Sequence, residues 1–404
     1  MLTVKTPEEV LVILETAFPP RPVPEEVPLE EARGRVLCAP VTAGEFVPGF
    51  DRSTVDGYAV RAEDTFGCSE AIPALLTLQG EIRMGSGAGE PLAAGCCAAV
   101  PTGGAVPEGA DAVVMLEYAE DYGDGAIGVC KPAAPGTNLI FRGDDVRPGQ
   151  VVLPNGRRLA SQDIGALAAL GAAAVTVCRR PVVGIISTGD ELVPVAETPG
   201  EGQVRDVNST MLRALVEEAG GTAAGFGALG DDEILLRRTL DRALAACDMV
   251  LISGGTSVGT KDAVSRVLED CGEVLFHGVA MKPGKPTLLG RAGGKPVFGL
   301  PGHPAAAFFV AQLFVRPLLD RLQGCIRRRY AVPAVLAEAV GANHGRAQYM
   351  GVLLSEEGGV RLARPIRSKS GLITALAGSK GCFCIPRDCE GAAAGEQIEV
   401  WLYR

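Results

Sequence analysis

Val250-Leu-Ile-Ser-Gly-Gly-Thr-Ser-Val-Gly-Thr-Lys-Asp262 is an apolar run that breaks into glycines. It reads as a buried strand ending at Ser253, a glycine-rich loop, and a helix from about Asp262 onward. Backbone N–H groups in such a loop can face an anion with no side chain in the way. Two more Gly/Pro loops follow beside short apolar runs. One is Met281-Lys-Pro-Gly-Lys-Pro286, carrying Lys282 and Lys285; the other is Leu300-Pro-Gly-His-Pro304. Three loops at strand ends are expected to meet at one edge of a parallel sheet, where open α/β sheets bind ligands. The chemistry of that edge suits a phosphorylated or oxyanionic ligand.

Working outward, strands alternate with helices from Pro181 to Leu322, a pattern that gives a parallel sheet with crossover helices. Helices are expected near residues 209–219, 232–245, 262–269 and 304–322. Strands are expected near 182–187, 223–229, 249–252, 273–279, 286–289 and 297–300. Upstream, Pro7 to Phe18 has early acids and helical apolar spacing, and a second helix is expected at Leu29–Val36. Short apolar runs divided by glycine turns between Pro73 and Val129 suggest a small β domain. It is preceded by the polar turn Asp51–Gly57 and contains Thr102 in a loop between strands. After Arg327 short alternating runs return, ending in a strand at Ile398–Tyr403.

The chain has 404 residues, enough for two to four domains of ordinary size. Its formal net charge of −10 argues against a nucleic-acid binder working through a broad basic surface, so an anionic ligand needs a local cationic cluster. No basic, apolar, small-residue leader pattern opens the sequence, and no apolar run reaches the ~18 residues of a membrane helix. A cytoplasmic protein is expected. The 12 cysteines include no C-x-x-C pair and read as buried small hydrophobes, not as a zinc site or disulfide framework.

Seven stretches then occur in one order: Asp56-Gly-Tyr-Ala-Val-Arg, Thr102-Gly with Val106-Pro-Glu-Gly-Ala-Asp-Ala-Val-Val, Ser187-Thr-Gly-Asp-Glu-Leu, Arg205-Asp-Val-Asn, Ser253-Gly-Gly-Thr-Ser-Val-Gly, Met281-Lys-Pro-Gly-Lys-Pro and Leu300-Pro-Gly. Together they closely resemble the molybdopterin molybdenumtransferase family of MoeA and the gephyrin E domain, over nearly the whole chain. The resemblance implies a multidomain α/β protein. Its parts are an elongated, discontinuous N-terminal domain (1–45 and 142–178), an inserted small β domain (46–141), an α/β molybdopterin-binding domain with a parallel-rich sheet (179–324) and a C-terminal β-barrel-like domain (325–404). It implies insertion of molybdate into adenylylated molybdopterin with Mg2+-dependent release of AMP. A homodimer and handover of substrate from a molybdopterin adenylyltransferase are implied as well, with no nucleic acid and no membrane involved.

On that footing Asp56, Thr102, Glu191, Asp262, Lys282 and Lys285 are the candidate catalytic residues. Two ammonium groups in a Pro-rigidified loop favour a dianion between them. Glu191, Asp206, Asp232 and Asp262 are candidate Mg2+ ligands, since converging carboxylates repel unless a cation neutralises them. Asp232 also reads as a helix-start residue. Substrate contacts are expected from Asp206, Asn208, Ser253, Gly254, Gly255, Ser257, Gly259, Pro301, Gly302 and His303. Arg346 and Ser370 match family positions near the oxyanion, with Arg364 and Arg367 as further cations. His303 departs from the pattern, because many members carry asparagine there; it is either a helix cap or a substrate contact that tunes the choice between molybdate and tungstate. The competing readings are an adenylyltransferase on the same α/β module, a tungstate-preferring paralogue, and a non-catalytic cofactor carrier or scaffold.

Overall fold

The computed structural model describes residues 4–230, 232–254, 263–326, 330–342, 344–367 and 369–403. The chain forms two compact units. One comprises the residues up to Cys38, Gly156–Leu159 and everything from Val175 onward; the other comprises Ala39–Asn155 and Ala160–Ala174.

The first unit is built on a six-stranded sheet in the order Thr222–Leu229, Val182–Thr188, Met249–Ser253, Lys295–Leu300, Leu288–Ala292, Gly272–His277. The first four strands run parallel. Along Met249–Ser253, Met249 and Leu251 pack with Phe298 and Phe314, while Val250 and Ile252 pack with Leu240 and Leu268. All five residues of that strand are buried, so both faces are covered and the apolar run needs no polar alternation. Helices Val207–Glu218, Glu233–Ala246 and Ala263–Cys271 supply the cover.

The sheet is parallel-rich, as expected, and its last two strands run antiparallel. Leu288–Ala292 returns antiparallel to Lys295–Leu300, and Gly272–His277 runs antiparallel to Leu288–Ala292. Only Gly293 and Gly294 join the first pair, both at positive φ, and a two-residue connection of that kind permits a hairpin and no crossover. The helix expected over 304–322 is continuous but changes pitch: Pro304–Val310 is α, Ala311–Val315 is a π turn and Arg316–Leu322 is α again. Pro317 has no N–H to return to the preceding turn, which loosens the winding there. The helix expected at Leu29–Val36 is a single 3-10 turn, Leu29–Glu31, because Gly34 adopts φ +77°. The amino-terminal helix Pro7–Ala17 carries a full capping box between Thr6 and Glu9.

Five carboxyl-terminal strands close into a barrel: Ala347–Glu357, Val360–Pro365, Ala331–Leu336, Gln397–Leu402, Gly381–Ile385 and back to the first. Met281–Lys282 adds to that sheet through Ala347 and Gln348. In the second unit a six-stranded sheet runs Ala112–Met115, Gly57–Val60, Cys96–Val100, Ala74–Glu81, Ala126–Val129, Ala119–Asp121. None of the 12 cysteines is joined in a disulfide, and no described helix is long and apolar enough to cross a membrane.

Candidate functional site

Two adjoining clefts lie at the carboxyl ends of the parallel strands in the first unit. The first, about 650 Å³, is lined by Thr188, Glu191, Asp206, Asn208, Ser253 and Gly254 together with Pro286, Pro301, Gly302 and His303. Gly254, Pro286 and Pro301 belong to the three loops expected to converge, and here they line one space. Gly254 sits at φ +100°, and a Cβ on it would lie 2.2 Å from the Thr188 carbonyl oxygen, so glycine alone lets these strand ends approach.

Asn208 organises the floor of this cleft. Its Nδ2 donates to Ser253 Oγ at 2.7 Å and to the Gly302 carbonyl at 2.8 Å, tying a helix start to a strand end and the Pro-Gly loop. Both amide hydrogens are thereby used. Asn208 Oδ1 and, beneath it in register with Ser253, Ser187 Oγ are buried without a partner among the described residues. A buried acceptor left open in this way suits a ligand that brings an N–H donor. Asp206, 8% exposed, caps its helix by accepting from the Ser209 N–H at 3.0 Å. Glu191 folds its carboxylate against Gly189, where a Cβ would lie 2.6 Å from Glu191 Oε2. Two carboxylates on one cleft are a hard-oxygen donor set that fits Mg2+. Among the described residues no group of three His, Cys, Asp or Glu side chains gathers around one point.

The second cleft, about 1030 Å³, shares Pro286, Pro301, His303 and Gly371 with the first. Its polar wall carries Lys282, Lys285, Arg346, Arg367, Lys369 and Ser370. The Lys282 backbone is held by pairing to Gln348, and the loop is closed by Thr287 Oγ1 donating to the Gly284 carbonyl at 2.6 Å. Lys282, Lys285 and Arg346 pair with no carboxylate among the described residues. Arg367, by contrast, lies 3.7 Å from Glu338, and Arg364, 3.3 Å from the same carboxylate, does not line the cleft. In a chain of net charge −10, three cations with no carboxylate partner among the described residues suit an anionic ligand.

The remaining sequence candidates fall elsewhere. Asp56 and Thr102 meet in the second unit: Gly57 and Val100 are register partners, and the Thr102 N–H donates to Asp56 Oδ1 at 2.8 Å. Asp232 caps its helix, its Oδ1 accepting from the Ile234 and Leu235 N–H groups at 2.9 and 3.0 Å. Gly255, Ser257, Gly259 and Asp262 lie outside the described residues. His303 stands at the helix start without a side-chain cap bond; its Nδ1 lies 2.8 Å from Ser370 Oγ. Sequence reading overlooked Thr188, Ser187 and Lys369. The first two sit inside the motif Ser187-Thr-Gly-Asp-Glu, where the acids drew the attention, and Lys369 adjoins Ser370.

Three family models cover most of the chain: the MoeA N-terminal region (domain I and II) over residues 5–171, a "probable molybdopterin binding domain" over 184–321 and the MoeA C-terminal region (domain IV) over 333–403. The molybdopterin molybdenumtransferase of Bacillus subtilis is 33% identical over 94% of this chain and 90% of its own length. Molybdopterin molybdenumtransferase 2 of Mycobacterium tuberculosis is 36% identical over 94% and 95%. The solved structure of the molybdopterin biosynthesis MoeA protein of Pyrococcus horikoshii superposes with a TM-score of 0.88 at 37% identity, covering 99% of this chain and all of that one.

Proposed function

The chain belongs to the MoeA family of molybdopterin molybdenumtransferases, transferases of molybdenum cofactor biosynthesis, and on that footing we propose that it inserts molybdate into adenylylated molybdopterin and releases AMP. The observation that carries this reading is the division of labour between the two clefts. The wall of Lys282, Lys285 and Arg346 has the charge to hold a tetrahedral dianion, with Ser370 as a neutral donor. The neighbouring cleft has the buried acceptor Asn208 Oδ1 for the N–H groups of a pterin, and strand-end backbone at Ser253 and Gly254 for the phosphates. The clefts share a seam at Pro286, Pro301 and His303, which supports a reading in which the two substrates are bound side by side, and positioning of that kind accounts for a large part of a transfer rate.

Glu191 and Asp206, with Asp262, would hold Mg2+, which when bound offsets the charge of the pyrophosphate and of the departing AMP. Asp232 does not line this cleft and is left out of the set. Asp56 and Thr102 are proposed as the catalytic pair of the inserted β unit, within the four-part domain division given above. A cytoplasmic homodimer receiving its substrate from an adenylyltransferase completes the proposal. The test is single-turnover AMP release from adenylylated molybdopterin with Mg2+, titrating molybdate and tungstate in parallel. Release that depends on molybdate is expected; release that responds only to tungstate identifies the tungstate-preferring alternative. Tight substrate binding with no release under either oxyanion overturns the transferase reading in favour of a carrier.

A further inference from the structure

His303 is the side chain that borders both clefts and is bonded across their seam. Its backbone starts the helix Pro304–Val310, and the same helix start is clamped from the carboxyl-terminal loop, because the Ala305 N–H donates to the Ser370 carbonyl at 3.0 Å. Ser370 is therefore held twice, by its backbone at Ala305 and by its hydroxyl at His303 Nδ1, 2.8 Å away.

One hydrogen lies between Nδ1 and Oγ, and its owner decides what Ser370 can do. If the hydroxyl donates to Nδ1, Ser370 presents only lone pairs to the cationic cleft and repels an oxyanion. If Nδ1–H donates to Oγ, the hydroxyl hydrogen is free to point at the oxyanion, and the bond it makes is charge-assisted. Lys282, Lys285 and Arg346 draw an anion into that cleft, and the anion selects the second arrangement. We propose that His303 is a positioning residue that sets the Ser370 hydroxyl as an oxyanion donor through its Nδ1–H. The neutral Nδ1–H tautomer and the imidazolium both supply that hydrogen, and so would an asparagine amide, whose Nδ2 reaches the same distance from the backbone. This inference rests on the transferase reading and adds how its oxyanion site is set.

The experiment compares wild type with His303→Ala, His303→Asn, Ser370→Ala and the double His303→Ala/Ser370→Ala variant. AMP release gives kcat and the KM for molybdate, and calorimetric titration with molybdate alone gives an affinity independent of turnover. His303→Ala is expected to raise the molybdate KM and Kd about tenfold while kcat at saturating molybdate falls less than threefold. His303→Asn should restore both to within about threefold, and the double variant should bind no worse than Ser370→Ala. Unchanged molybdate KM in His303→Ala, failure of asparagine to restore a loss, or additive losses in the double variant overturns the proposal while leaving the transferase reading intact. A wild type that neither binds molybdate nor releases AMP overturns both.

Discussion

Asp232 and Glu191 are both acids near strand ends of one sheet, and their surroundings give them different duties. Asp232 satisfies two helix N–H groups, so Asp232→Ala should lower unfolding stability by about 1 kcal/mol and leave molybdate-dependent AMP release within twofold of wild type. Glu191 lines the cleft, and Glu191→Gln should leave the urea midpoint in place while slowing AMP release about 100-fold. Equal effects of the two substitutions on release would refute this separation. Sequence could name both residues but could not choose between their roles, since an acid three residues after a strand has the same spelling whether it caps or ligates. Lys282 and Lys285 were easier, because prolines on either side fix a loop in which two ammonium groups must face something. His303 was legible only as a departure; that its partner would be Ser370 depends on contacts between segments 67 positions apart.

At the scale of the element, the strand Met249–Ser253 and the glycine that ends it set the shape of the first cleft. A methyl group at residue 254 meets the Thr188 carbonyl oxygen at 2.2 Å, and both the contact and the positive φ oppose it. Gly254→Ala should lower unfolding stability by roughly 2–4 kcal/mol and weaken binding of adenylylated molybdopterin more than binding of molybdate. Native stability with unaltered pterin affinity would show that the strand ends can part at no cost. The parallel core of the sheet was readable because both-face burial demands unbroken apolar runs. The antiparallel hairpin at its edge was not: Leu288–Ala292 has the same apolar spelling, and the two glycines that reverse the chain say nothing of which strand they pair. The change of pitch inside the 304–322 helix was likewise hidden, since Pro317 sits where a second helix could equally have begun.

Across the whole molecule, thiols report how tightly each unit is closed. Burial pushes Cys97 and Cys178 up to about 12 and Cys384 up to about 11, helped at Cys97 by its neighbour Cys96 and at Cys178 by Cys38. In the unfolded chain the same thiols ionise near their ordinary value, so above pH 9 the unfolded state holds fewer protons than the folded one. Stability is full below about pH 9 and should fall as pH climbs from there toward 12, read as a decreasing urea midpoint and as slow native alkylation of all three thiols. A midpoint that stays level over that range would mean these interiors open locally. The charge balance was plain in the sequence, and so was the division into several domains; the barrel of the last five strands was expected from the family resemblance alone, because ring closure is a property of long-range register. That closure has a consequence in time. Lys282 is held against Gln348, and Ser370 against Ala305, so the cationic wall of the second cleft is made from residues the ribosome delivers far apart. A nascent chain stopped before the barrel owns Lys282 and Lys285 without Arg346, Gln348 and Ser370 beside them.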